Sequence, residues 1–251
     1  MQLVQSSFAK ESIFSSHKIS TGHAENKNAE NAACISTGKQ HAFSDMNKNG
    51  TAEKIRGRIA AAQEGTLFVM GDFADIAGKN AANRAVLRLV EEGLLRVIVR
   101  GVYQKPRFNA FLGECEEPSA DAVARALARK NGWAVCPDGD TALNLLGLSE
   151  QVPAVWVYSS DGPYKAYACG AGTIRFRHTA NRMLRSLSPE TALVVQALRA
   201  LGKGHVGASV LAAIARRFDA AALAEMERET RNVPDWIHSA IAGLAEERSH
   251  A

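Results

Sequence analysis

Long apolar runs are missing from this sequence. The longest stretch without a charge or strong polar break is about ten residues, around Val206–Ala215, whereas a membrane-spanning helix needs about 20, so no transmembrane helix and no membrane partner is expected. Cysteine is scarce and scattered. Cys34, Cys115, Cys136 and Cys169 contain no Cys-x-x-Cys pair and have no histidine at zinc-ligand spacing, which argues against a zinc framework and leaves them as reduced thiols. The first 50 residues hold no Arg, Trp or Tyr; a polar segment of this kind cannot bury enough surface to offset its ordering entropy, and residues 1–50 are expected to be a disordered polar tail. The opening residues also lack an apolar run of signal-peptide length, which argues against secretory or mitochondrial targeting and makes the cytoplasm the expected location. Met46, just ahead of the first periodic helix, offers an alternative start. Gly-x-x-x-x-Gly-Lys and Gly-x-Gly-x-x-Gly are both absent, Ser209 is not in a Gly-x-Ser-x-Gly elbow, and His178, His205 and His238 have no evident triad or metal partners. No cofactor and no enzymatic activity is asked for by any motif.

What is present is a globular composition, 46% hydrophobic and 22% charged, with an uneven distribution of charge. Residues 51–111 carry ten Lys and Arg against six Asp and Glu, while residues 112–188 balance at eight and eight. Essentially all of the net charge of +4 therefore lies in one 61-residue segment, which is the part expected to meet an anionic partner.

That segment has its own pattern of elements. Thr51 can cap a helix with Ile55, Ile59 and Ala62 on one stripe. A short strand, Thr66–Val69, follows, then a short helix from Asp72 to Ala77 and a longer one from Asn80 to Glu92, closed by Gly93. Two apolar runs around Gly101 read as a hairpin. Helix, strand, helix, turn, helix, hairpin is the order of a winged helix-turn-helix, which predicts DNA binding. On the wheel of the longer helix, Ala82, Ala85, Val86, Leu89 and Val90 share one arc, and Asn80, Ala81, Arg84 and Arg88 the opposite one. Arg can bind guanine bidentately and Asn can read adenine, whereas Lys79, Arg96, Arg100, Lys105 and Arg107 suit phosphates. Tyr103 reads either as a stacking or as a packed side chain.

Further along, Pro118-Ser119 opens a helix with Val123, Leu127 and Ala128 on one stripe, and Asp140 caps another over Thr141–Leu146. Strand-like runs follow at Ala154–Ser159, Tyr164–Ala168 and Thr173–Arg177, with Asp161-Gly162 as a hairpin signal, so an antiparallel meander is expected. Ser188-Pro189 starts a helical region broken near Gly202–Gly204, Asp219 and Pro234. The fold class expected is α+β: a winged helix-turn-helix at 51–111, a small α/β domain with antiparallel strands at 112–188, and a helical C-terminal region at 189–251. The pair Asp138 and Asp140 has the spacing of metal-binding carboxylates in nucleotidyl transfer, but it lacks the Gly-Ser turn and third carboxylate of such a site, and it reads first as a turn with a helix cap.

Lys54-Ile-Arg-Gly-Arg58, Ala85-Val-Leu-Arg-Leu-Val-Glu-Glu-Gly93 and Arg100-Gly-Val-Tyr103 resemble the winged-helix half of AbiEi-like antitoxins of type IV toxin–antitoxin systems. Thr141-Ala-Leu-Asn-Leu-Leu-Gly-Leu-Ser149, Gln151-Val-Pro153 and Thr173-Ile-Arg-Phe-Arg-His-Thr179 resemble that family's second domain. The resemblance spans about Thr51 to Gly204. It implies a transcriptional repressor that binds operator repeats in double-stranded DNA upstream of its own operon, and that counteracts a nucleotidyltransferase-like toxin, directly or through its target, as in phage defence. Arg175 and Arg177 on the small sheet are the expected partner-facing residues. A stand-alone winged-helix regulator, and a metal-dependent nucleic-acid enzyme using Asp138 and Asp140, are the alternatives.

Overall fold

A computed structural model describes residues 50–170, 172–179 and 186–244, all within the unit Ser36–Ala251. The expectations for residues 1–49, the disordered tail and the alternative start at Met46, lie outside the described residues.

The chain begins with α1, Thr51–Ala61, which buries Ile55 and Ile59. Its N-cap is Gly50, and the Thr51 side chain makes no cap bond. Strand β1, Leu67–Val69, leads into a 3-10 turn at Met70–Phe73, where the Asp72 carboxylate accepts from the Val69 backbone N–H at 2.9 Å. The helix expected over Asp72–Ala77 is thus a tighter turn placed two residues earlier. Helix α2, Lys79–Glu91, buries Ala82, Ala85, Val86 and Leu89 and ends at Gly93, whose φ of +77° is the left-handed stop expected of a glycine there. Strands β2, Arg96–Val99, and β3, Val102–Gln104, form the hairpin around Gly101. In the sheet the order is β1-β3-β2, antiparallel throughout. A second short hairpin, β4 (Phe108–Asn109) with β5 (Glu114–Cys115), carries Phe111, 95% exposed, at its tip.

Helix α3, Ala120–Asn131, is capped by the Ser119 hydroxyl, which accepts from Ala122, and ends at Gly132 in the left-handed region. It packs against β1 and β3 and also against the strands Val155–Ser160 and Gly172–His178. Strand β6 spans Val135–Pro137, and α4 spans Asp140–Leu145 with Gly139 as its cap. Strands β7 (Val155–Ser160), β8 (Lys165–Cys169) and β9 (Gly172–His178) complete a four-stranded sheet of order β6-β7-β9-β8.

This sheet departs from the expected antiparallel meander. Strands β7 and β9 pair in parallel, with Tyr158 opposite Phe176, and β8 lies outside them at the edge. The Asp161-Gly162 pair is not a hairpin turn between neighbouring strands. The Asp161 carboxylate instead accepts from the Ala134 N–H at 2.8 Å, and Gly162 lies beneath Trp133, so close that a Cβ there would stand 2.4 Å from the indole. These contacts direct the chain away from β7 and let β9 return beside it.

The remaining helices are α5 (Pro189–Leu201), α6 (Ala208–Ala215), α7 (Ala220–Glu229) and α8 (Asp235–Ala242). Ser188 caps α5, with Pro189 at its first position, and Asp219 caps α7. Glu229 ties the two together: its carboxylate accepts from the Ser188 N–H at 3.0 Å and hydroxyl at 2.8 Å.

Three apolar clusters fill the interior. One holds Ile55, Ile59, Phe68, Phe73, Leu89 and Tyr103 under α1 and α2. Another joins Val69, Val99 and Val102 to α3 and to Trp156, Tyr158, Ile174 and Phe176. The third packs Ala142 and Leu146 with the four C-terminal helices. Apolar packing therefore crosses both expected boundaries, at 111/112 through the second cluster and at 188/189 through the third. Cys136 is a free thiol, and burial pushes it up to about 12. Cys115 is disulfide-bonded, contrary to the reduced reading. Among the described residues no helix is long and apolar enough to cross a membrane.

Candidate nucleic-acid interface

Helix α2 holds its apolar stripe in the first cluster, and this fixes what its other face presents. Lys79, Asn80, Arg84 and Arg88 are all exposed, and among the described residues no hydrogen bond or ion pair engages their side chains. The first turn of α2 contains no acid to complement the helix dipole and carries Lys79 instead, an arrangement unfavourable to an isolated helix and favourable to a bound anion. Asn80, Arg84 and Arg88, a helical turn apart on one face, suit the edges of base pairs in a major groove, and Lys79 at the start of the helix suits a phosphate.

The expected phosphate residues divide. Lys105 does not present its ammonium to solvent; it donates to the carbonyls of Ala60 at 2.8 Å and Ala62 at 2.7 Å, where α1 ends and its carbonyls lack helical partners. Arg96 spans the sheet and the segment beyond it, donating to Gln104 Oε1 at 2.6 Å, the Glu116 carbonyl at 2.6 Å and Glu117 Oε1 at 2.9 Å. Arg107 pairs with Glu116 at 3.1 Å. These three cations are occupied by the fold: Glu116 and Glu117 engage Arg96 and Arg107, and the carbonyls that end α1 engage Lys105. Tyr103 is 7% exposed and belongs to the first cluster, so its reading as a packed side chain holds; burial pushes its phenol up.

Arg100 is exposed at the β2–β3 turn, and its carbonyl accepts from Lys130 Nζ. Lys130 closes α3, outside the segment singled out by charge. Its ammonium is pushed down by burial and then by the charges of Lys165 and Arg100. Sequence reasoning missed Lys130 and Lys165. The only signal was a basic last turn in α3, Arg129-Lys130, and nothing local placed it beside Arg100.

In the second half, Arg175 and Arg177 are exposed on one face of β9. Arg177 comes within 3.8 Å of Asp138, whose carboxylate accepts from the Ser159 hydroxyl at 2.9 Å. Asp138, Ser159, Arg177, His178, Gln196 and Arg199 help line a polar cleft of about 280 Å³. Asp140 does not line it. It is the first residue of α4 and is exposed. Among the described residues no group of three His, Cys, Asp or Glu is placed to hold a metal ion.

The chain was compared with known proteins. No curated protein matches it. Among solved structures it is similar to the RV2827C protein from Mycobacterium tuberculosis, at 14% identity and a TM-score of 0.36, over 82% of this chain and 79% of that one. Residues 54–221 match the family of unknown function DUF6088, a span that holds α2, the strands and both arginines of β9, and the chain belongs to that family.

Proposed function

We propose that residues 51–111 act as a winged helix-turn-helix that binds double-stranded DNA through α2, and that the protein is a transcriptional repressor rather than an enzyme. The observation that carries this reading is the exposed, unpartnered face Asn80-Arg84-Arg88, backed by an apolar stripe, with Lys79 exposed at the start of the helix. The β1-β3-β2 strand order supports it, since the hairpin after α2 takes the place of a wing. Resemblance to AbiEi-like antitoxins extends the proposal: the operator would be repeats upstream of the protein's own operon, and the countered partner a nucleotidyltransferase-like toxin, with Arg175 and Arg177 facing it.

The test is a footprint of the full chain on the duplex upstream of its own reading frame, with chelator present. Protection is expected, and it should disappear in an Arg84→Ala/Arg88→Ala double variant that remains folded. No protection by the wild type, or the same protection by the double variant, would overturn the reading. Promoter–reporter repression and growth rescue from the neighbouring toxin, run on the same variants, separate the two roles. Arg175→Glu/Arg177→Glu should lose rescue and keep repression.

A further inference from the structure

Three cations from three different elements meet at the β2–β3 turn. Lys130, in the last turn of α3, donates its ammonium to the Arg100 carbonyl. It lies directly over Gly101: a Cβ there would stand 2.8 Å from both Cε and Nζ of the lysine, and the glycine's φ of +82° excludes most side chains besides. Lys165 opens β8 and holds its ammonium 5.1 Å from the centroid of the Tyr167 ring. Both Lys165 and Arg100 are close enough to Lys130 to disfavour its charged form.

All three side chains are exposed, and no carboxylate pairs with any of them among the described residues. Elsewhere in this segment the fold supplies an acid for arginines outside the α2 face, Glu92 for Arg56, Asp75 for Arg58 and Glu117 for Arg96. Like charges gathered without an acid raise the free energy of the unliganded protein and lower it once an anion is bound. Two lysines are point charges without the planar fork that reads a base edge, so the ligand they suit is a sugar-phosphate backbone.

We propose that Arg100, Lys130 and Lys165 form one anion site that takes backbone phosphates of the duplex bound at α2, so that α3 and β8 grip the DNA together with the hairpin. This rests on the DNA-binding reading above. It adds to that reading a sequence-independent contact from outside residues 51–111.

The experiment is a salt titration of the full chain against a fluorescently labelled random-sequence duplex, read by anisotropy, with Lys130→Gln, Lys165→Gln and both together. Glutamine at 130 can still donate to the Arg100 carbonyl, which preserves the turn. Each released phosphate contact should flatten the slope of log affinity against log salt by about 0.9, so the pair should lose about 2. The same fold-loss is expected on the upstream duplex, since phosphates carry no sequence information. An unchanged slope in a double variant that melts like the wild type would overturn the site, and so would an equal flattening by Lys203→Gln in the helical region. Binding that responds to Arg84→Ala/Arg88→Ala but not to Lys130→Gln/Lys165→Gln would sink this inference and leave the DNA reading standing; wild-type protein that binds no duplex would sink both.

Discussion

Replacing Arg84 by Ala removes an exposed guanidinium that makes no hydrogen bond or ion pair among the described residues, so the fold should scarcely register the change, within about 0.5 kcal/mol as for other surface substitutions. Its whole effect should fall on DNA. A bidentate base contact is worth about 1–3 kcal/mol, which is about a 5- to 150-fold loss on the upstream duplex and a smaller one on a random duplex. Lys105→Ala should do the opposite. Its ammonium makes two hydrogen bonds, 2.8 and 2.7 Å, to carbonyls at the end of α1. Bonds to a charged donor contribute about 1.5–3 kcal/mol each; halved for solvent screening, the pair is worth about 1.5–3 kcal/mol. In a chain of this size each kcal/mol moves the melting temperature by about 2–4 °C, so a drop of about 3–12 °C is expected with little change in DNA affinity. Thermal melts and anisotropy on the two duplexes measure both quantities for both variants. If Lys105→Ala melted like the wild type and lost affinity on every duplex, the carbonyl contacts would carry no stability and the lysine would belong to the DNA interface. If Arg84→Ala lost the same factor on both duplexes, the arginine would be a phosphate contact.

Two further outcomes follow from the packing. Burial raises the Glu229 carboxyl, but the hydrogen bonds from Thr191 and Ser188 and the charge of Arg228 outweigh it and hold the group below its ordinary range. A depressed carboxylate stabilises the fold above its unfolded value and loses that contribution as pH falls through the folded one. Glu229→Gln should thus lower the melting temperature at pH 7 by about 1–6 °C, for a loss of about 0.5–1.5 kcal/mol, and the gap to wild type should close in acid below about pH 4; a gap constant from pH 7 to pH 3 would refute the assignment. A fragment ending at residue 111 should fail to fold, because it uncovers Val69, Val99 and Val102. Full burial of each valine is worth about 1.5–3 kcal/mol, together comparable to the whole stability of a small domain. A cooperative melt of that fragment at the full-length temperature would show the second cluster to be dispensable.

Elements whose signal is local were legible. The stripe Ile55 and Ile59, the arc Ala82, Ala85, Val86 and Leu89, the turn at Gly101, the helix starts at Ser119 and Ser188 and the break near Asp219 are all placed by spacing and turn chemistry, because a helix or tight hairpin answers mainly to its own residues. Pairings that depend on distant chain were not. Strand β6 is three residues long and ends in Pro137, which reads as a break; it is tolerated because β6 is an edge strand. The parallel pairing of β7 with β9 depends on Asp161 bonding to Ala134 and on Trp133 covering Gly162, contacts that no period or dipeptide announces. The candidate interface divides along the same line. The face of α2 follows from its wheel, whereas the engagement of Lys105 by α1 and of Arg96 by Glu117 required the fold, as did the meeting of Lys130 and Lys165 with Arg100.

Charge and packing therefore draw different maps of this chain. The basic surplus stops near residue 111, yet α3 packs on β1 and β3 of the first sheet and on β7 and β9 of the second. An element packed against both sheets cannot shift against one without disturbing the other, since interiors are close-packed and respond as discrete arrangements rather than by continuous deformation. The same helix carries Lys130 over the turn that holds Arg100. Any ligand that drew the hairpin toward a phosphate would pull on α3, and through α3 on the sheet bearing Arg175 and Arg177. The proposed DNA-facing and partner-facing surfaces are thus joined through α3 and through the approach of β2 to β8, and a substitution that loosens α3, such as Leu127→Ala, acts on both surfaces at once.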